Sequence, residues 1–323
     1  MKALVFETIG EPKDVLILKE IDKPTLGEGE ALVKMCYSTI NPADHLFMKG
    51  SYRIKAVLPQ IAGFEGVGTV EACGEKVDLP IGTTVSFFYA KAWAEYVAVP
   101  KDQLHVLPKE LPLEKAAQFT LNPMTAWGLL KTVNVKPDDW LLLTAGNSTV
   151  AKLIIQFAKQ KNIRTIAAIR TLEFADELKN IGADAVVDVN TNDWVEQVKA
   201  LTKGMGVNAV LDPVGGDIGT NALQCIALNG KHIVYGALSK DTVQFNNSLI
   251  SYKNITIGGF GVRKFLADLG VDEKAEMIKS LTTIISQPAF KMEVAGIYDL
   301  KDFVKAFEAE KADNKKGKIL LRI

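Results

Sequence analysis

Two rhythms of apolar and polar positions divide the chain near residue 120. Up to about residue 118, short apolar runs (Lys2–Phe6, Glu30–Tyr37, Gly66–Glu71, Ala94–Val99) alternate with Gly, Pro and acidic residues. That punctuation predicts a mainly antiparallel β domain. From Trp140 onward the runs WLLLTA, RTIAAI, DAVVDV, NAVLDPV, KHIVYG and NITIGGF lack polar alternation, as strands buried on both faces do. Most are separated by helix-length amphipathic stretches. Thr149–Lys161 sets Val150, Ile154, Ile155 and Ala158 at helical spacing, and Leu172–Ile181 ends at Gly182, a residue suited to a helix C-cap. Six such strands with helical crossovers predict an α/β doubly wound parallel sheet. After Phe260 the pattern predicts helices to about Ser286, then MEVAGIYDL, a helix near Leu300–Lys311 and a final strand Lys318–Arg322 that rejoins the first domain. The expected domains are 1–118, completed by 292–323, and 119–291.

Composition narrows the class. The 323 residues exceed what one hydrophobic core usually fills. With 38 basic and 38 acidic side chains, the chain lacks the excess positive charge that phosphate-backbone binding requires, so no nucleic-acid partner is expected. The basic run Lys311 to Lys318 reads as a solvated turn. No apolar stretch reaches the ~18 residues of a membrane span, and MKALVFETIG lacks a signal-peptide pattern. Three distant cysteines, Cys36, Cys73 and Cys225, fit free thiols in a reducing cytoplasm better than a disulfide framework.

The first strand of the second half runs through Thr144-Ala145-Gly146-Asn147-Ser148-Thr149-Val150 into a helix. A tight turn of small residues there lets backbone N–H groups and the helix dipole face a pyrophosphate. Of the G-x-G-x-x-G pattern only Gly146 remains, with Thr149 and Ala151 where glycines would stand. At the end of the second strand, where an NAD enzyme places a carboxylate for the ribose, this chain has Arg170. A guanidinium clamps a 2′-phosphate bidentately, so NADPH is the expected cofactor.

Several segments in order carry a resemblance over almost the whole chain: INPADHLFMKGSY from Ile40 to Tyr52, GFEGVGTV, NPMTAW from Asn122 to Trp127, DPVGG from Asp212 to Gly216, and GKILL. The set is similar to the zinc-independent quinone oxidoreductase branch of the medium-chain dehydrogenase/reductase superfamily. The loop at Asn147-Ser148, Arg170 and the Tyr235-Gly236-Ala237 turn also resemble the 2-enoyl thioester reductases. The resemblance implies a GroES-like catalytic domain, a Rossmann cofactor domain and a homodimer. In the superfamily's zinc alcohol dehydrogenases a first-domain Cys, a His in Gly-His-Glu and a later Cys hold zinc. Here the matching stretches are Ile40-Asn41-Pro42-Ala43-Asp44 and Gly63-Phe64-Glu65, and Phe64 cannot ligate a metal. His45, His105 and His232 lack ligand spacing, so no metal is expected.

Hydride delivery without a metal leaves an enolate-like oxyanion that protein groups must stabilise and protonate. The resemblance maps the thioester reductases' active-site tyrosine onto Tyr52. Asn41 can hold the nicotinamide ribose or a substrate oxygen, or form a turn before Pro42. Thr125 can touch the nicotinamide or cap the following helix. By similarity, Asn147, Ser148 and Val150 contact the pyrophosphate, Tyr235 and Gly236 lie at the fifth strand's end, Phe260 and Val262 lie near the nicotinamide, and Lys318 lies near the cofactor. These residues fit a reductase of quinones or α,β-unsaturated carbonyls (enones). One rival is an enoyl-ACP or enoyl-CoA thioester reductase, for which Lys49, Arg53 and Lys55 offer a thin basic landing patch. Another is an NADPH-binding redox sensor with little catalysis, in which Thr149 crowds the phosphates.

Overall fold

The computed structural model describes residues 1–312 and 315–323, so positions 313 and 314 of the basic run lie outside the described residues. Two compact units emerge, one from Met1–Leu121 with Ala275–Ile323, the other from Asn122–Lys274.

Apolar alternation in the first unit builds two sheets. The smaller orders Leu16–Glu20, Lys2–Phe6 and Gln60–Ile61, all antiparallel. The larger runs Val294–Asp299, Lys318–Arg322, Glu30–Thr39, Glu65–Cys73, Thr84–Phe88, Leu104–Val106, with Tyr96–Pro100 also paired to Glu30–Thr39. Only the pairing of Val294–Asp299 with Lys318–Arg322 is parallel. The final strand, which pairs with Glu30–Thr39 through Leu320 opposite Thr39, places the tail inside this sheet as the hydrophobic pattern predicts. Phe6, Phe47, Phe64, Phe87, Trp93, Val33 and Leu321 fill the core. Lys115 Nζ donates to the carbonyls of Ile285 (2.8 Å) and Phe290 (3.0 Å), tying the end of the helix Val271–Ile285 to this unit.

Six parallel strands form the second unit's sheet, in the order Ala185–Asp188, Arg164–Ile169, Trp140–Leu143, Val207–Asp212, Ile226–Val234, Thr256–Gly259. The chain order reverses at Trp140–Leu143, which gives the doubly wound sheet its switch point. The helix Thr149–Gln160 buries Ile154, Ile155 and Ala158, as its spacing predicts. One expected helix is shorter: Leu172–Phe174 is a 3₁₀ turn, and the α-helix spans Ala175–Ile181 before Gly182 at φ 120°. Among the described residues, no helix is long and apolar enough to cross a membrane.

Candidate active site

In the second unit the candidate cofactor residues gather at the carboxyl ends of the parallel strands, where ligands bind in open α/β sheets. Gly146 is required by close approach: a Cβ there would lie 2.7 Å from Ala167 Cβ, and its N–H donates to Ala168 O at 2.9 Å. Ser148 caps the helix Thr149–Gln160, its Oγ accepting from Ala151 N at 3.3 Å. The first-turn N–H groups of Thr149 and Val150 have no helical carbonyl four residues back, which leaves them for an anion. Asn147, Thr149 and Val150 are half-buried, so this face of the turn is accessible.

Behind the loop lies a buried polar knot to which the sequence reading gave no role. Asp212 is fully buried at the end of its strand. It accepts from Thr144 Oγ1 (2.5 Å), Val214 N (2.8 Å) and Gly215 N (3.2 Å), and its Oδ2 lies 3.2 Å from His232 Nε2. Burial alone raises a carboxyl's pKa, but the hydrogen bonds from His232, Thr144 and the two backbone amides hold Asp212 below the usual range. An ionised carboxylate only accepts, so the His232 proton is assigned to Nε2. His232, one of the three histidines without ligand spacing, is a buried partner of this carboxylate; among the described residues its Nδ1 has no partner.

The knot extends to the loop itself. Tyr235 N donates to Asp212 O at 3.0 Å, and the Tyr235 hydroxyl, pushed up in pKa by burial, hydrogen-bonds with Ser148. Gly236 leaves room for Pro213, whose carbonyl would lie 2.8 Å from a Cβ there. Phe260 N donates to Val234 O at 2.8 Å, and its ring packs over Gly128 on the helix Asn122–Val133. Val262 is buried at the start of its own helix, Val262–Asp268. Arg170 is exposed at the end of Arg164–Ile169, and among the described residues its guanidinium makes no ion pair. Thr125 lies three residues inside the helix Asn122–Val133, so it is not that helix's cap.

The first unit holds the other candidates. Asn41 immediately precedes the helix Pro42–Met48: its N–H donates to Asp44 Oδ2 (2.7 Å), and its carbonyl accepts from Asp44 N (2.9 Å). Its side chain is completely buried and fully engaged. Nδ2 donates to Thr39 Oγ1 (2.7 Å) and Glu65 Oε2 (3.0 Å), and Oδ1 accepts from Lys318 Nζ at 2.6 Å. Lys318 is thus buried, not solvated, and its described partners are protein groups. Asp44, whose Oδ1 has no partner among the described residues, is pushed up to about 7 by burial, which outweighs the Asn41 N–H bond and the nearby Lys318 charge.

Tyr52 stands apart from that network. Its ring packs 5.4 Å from Phe64, which also contacts Phe47 (4.8 Å) and Phe88 (5.3 Å). Its hydroxyl has no protein partner among the described residues, and the side chain is half-buried. A phenol left unsatisfied by the protein is available to a ligand.

Residues 149–282 match the zinc-binding dehydrogenase family, and residues 27–109 match the alcohol dehydrogenase GroES-like domain. The mitochondrial enoyl-[acyl-carrier-protein] reductase of Rattus norvegicus is 30% identical over 96% of this chain and 85% of its own length. That of Arabidopsis thaliana is 31% identical over 90% and 80%. A Bacillus thuringiensis structure described as an NADPH:quinone reductase superposes with a TM-score of 0.93 at 30% identity, covering 100% of this chain and 98% of its own. Escherichia coli quinone oxidoreductase, crystallised with NADPH, gives 0.91 at 26% identity over the full length of both chains.

The chain belongs to the zinc-independent quinone oxidoreductase branch of the medium-chain dehydrogenase/reductase superfamily. It is an oxidoreductase of that superfamily, with a GroES-like domain and a Rossmann-like parallel-sheet domain. In this oxidoreductase Phe64 fills the position of the zinc relatives' histidine with an aromatic cluster. Among the described residues no group of three or more His, Cys, Asp and Glu is placed to hold a metal.

Proposed function

We propose that this protein is an NADPH-dependent reductase of quinones and of the activated C=C bond of α,β-unsaturated carbonyls. The observation that carries the reading is the exposed guanidinium of Arg170, without an ion pair among the described residues, at the end of the strand that pairs with the one leading into the turn Gly146–Val150. A ribose phosphate is a dianion that a planar fork of donors recognises. Gly146, Asn147, Ser148, Thr149, Val150 and Arg170 would hold the dinucleotide's phosphates, with Tyr235, Gly236, Phe260, Val262 and Thr125 shaping the rest. When bound, NADPH supplies the hydride. Tyr52 then hydrogen-bonds the developing oxyanion and passes on a proton through the hydroxyl that no protein group occupies.

The test is a titration joined to turnover. Arg170→Ala is expected to weaken NADPH binding by about 10- to 100-fold, the loss of a charged bidentate contact, with NADH binding unchanged. Quinones, 2-alkenals and crotonyl-CoA are offered as acceptors. Equal loss for both dinucleotides sinks the phosphate assignment, and tight NADPH binding with no turnover of any acceptor favours the sensor reading. The curated relatives, mitochondrial enoyl-[acyl-carrier-protein] reductases, favour the thioester as a second reading. Against it, Lys49 is paired to Glu11 at 2.8 Å and Lys55 Nζ donates to Gly50 O at 2.9 Å, which leaves less of the basic patch for an acidic carrier.

We propose further that the protein is a homodimer paired through the open edge of the nucleotide sheet. Strand Thr256–Gly259 ends that sheet, Ile257 on it is exposed, and so is Tyr252 just before it. Unpaired N–H and C=O groups beside exposed apolar side chains suit a strand from a second copy. Sedimentation at micromolar concentration is expected to give twice the monomer mass; a single monomeric species overturns this. The free thiols Cys36, Cys73 and Cys225 support a reducing location, and we place the protein in the cytoplasm.

A further inference from the structure

The first unit buries more ionisable groups than the proposed reaction uses. Glu65 and Lys318 are both buried and face each other across the Asn41 amide. Glu65 Oε2 accepts from Asn41 Nδ2 and from Thr39 Oγ1 (2.9 Å), and Oε1 accepts from Leu121 N at 2.6 Å. Lys318 Nζ donates to Asn41 Oδ1 and, at 3.4 Å, to Ile40 O. An ammonium only donates and an ionised carboxylate only accepts, so the amide has a single allowed orientation. Rotated by half a turn, it would set donor against donor and acceptor against acceptor. Burial pushes the Glu65 carboxyl up and the Lys318 ammonium down in pKa; each is the other's countercharge.

Among the described residues none of these groups hydrogen-bonds Tyr52, yet both supports of Tyr52 run back to them. Its first support is the helix Pro42–Met48, which Asn41 opens. Past the helix, Gly50 turns the chain at φ 70°, and the N–H groups of Ser51 and Tyr52 both donate to Leu46 O at 3.0 Å. The second support is the ring of Phe64, whose chain neighbour is Glu65.

We infer that Lys318 is a positioning residue for Tyr52: through Asn41 it locks the helix Pro42–Met48 against the Glu65 strand and so fixes where the phenol points. This rests on Tyr52 being the proton donor of the proposed reaction. The Lys318–Asn41 bond spans 277 residues of sequence, so the C-terminal strand sets the geometry of a turn near the N-terminus.

A double-mutant cycle in the full chain, with NADPH and the best acceptor of the panel, tests it. Lys318→Met is expected to lower kcat, measured at saturating NADPH, by about 10- to 100-fold, as a misplaced catalytic group does. In a Tyr52→Phe background the same change is expected to cost less than about twofold, because the group it aims is gone. A Tyr52→Phe loss combined with a Lys318→Met loss that is equal in both backgrounds overturns this inference alone. Unchanged turnover in Tyr52→Phe overturns the proton-donor reading and the inference with it. Should Lys318→Met not fold, the charge-neutral pair Lys318→Met with Glu65→Gln, measured with and without Tyr52→Phe, gives the same comparison.

Discussion

Tyr52→Phe is expected to lower kcat by about 100-fold, in the range that loss of a positioned general acid produces, and to leave the NADPH dissociation constant within about twofold. Both halves follow from where the hydroxyl sits. The ring has its packing against Phe64 at 5.4 Å, and phenylalanine keeps that contact, so neither the turn nor the core is disturbed. The hydroxyl has no protein partner among the described residues, so its removal orphans no buried group. What is lost is a donor to an oxyanion that exists only as the reaction proceeds, which lowers kcat and kcat/KM together. Single-turnover kinetics with pre-bound NADPH measure this directly. A kcat within about threefold of the parent removes Tyr52 from the chemistry.

Asp212→Ala is expected to destabilise the nucleotide unit by about 3–5 kcal/mol, the consequence of stripping several buried donors of their one charged acceptor. For a unit of this size the melting temperature falls by on the order of 10 °C. The substitution strands His232 Nε2, Thr144 Oγ1 and the amides of Val214 and Gly215 without their acceptor. Dinucleotide binding weakens as well, since Thr144, which leads into the Gly146–Val150 turn, loses the acceptor of its hydroxyl. The pH dependence has a definite sign. The folded-state pKa of Asp212 lies below its unfolded value, so this carboxylate's contribution is fully present above the unfolded pKa, about 4, and is lost as pH falls through the folded one. Asp212→Ala should therefore flatten the acid limb of the stability curve. Urea unfolding across that range measures it, and a change below about 1 kcal/mol refutes the role given to the knot.

The parallel sheet was legible because strands buried on both faces leave unbroken apolar runs, and Arg164–Ile169 has the expected bounds. Where the reading of strand limits fell short, the cause is local. Ile226–Val234 begins five residues before KHIVYG, through Asn229 at φ 61° and a register shift that no apolar run reveals. Leu104–Val106 and Gln60–Ile61 are too short to carry a period. The places of Gly146 in a strand-to-helix turn and of Arg170 at a strand end were legible because both are local features. Glu65 and Asp44 stood in quoted motifs without roles, and the bond from Lys318 to Asn41 was not foreseen, because it joins positions 277 residues apart. For Asp212 and His232 a signal existed: they end and occupy neighbouring parallel strands, and Val210 pairs with His232. An acid and a histidine in such register, both in apolar runs, must meet inside the protein.

The strand Lys318–Arg322 lies between Val294–Asp299 and Glu30–Thr39 in the larger sheet of the first unit. During synthesis, that sheet waits for a strand encoded after the entire nucleotide unit. The nucleotide unit, continuous from Asn122 to Lys274, can collapse while the ribosome still holds the missing piece. Until residues 318–322 emerge, the Tyr37–Thr39 edge stays open and Asn41 lacks its ammonium. Maturation of the turn that carries Tyr52 is thus a late event of biogenesis, and nascent chains stalled before residue 318 should already protect the dinucleotide unit from protease while the first unit remains cleavable.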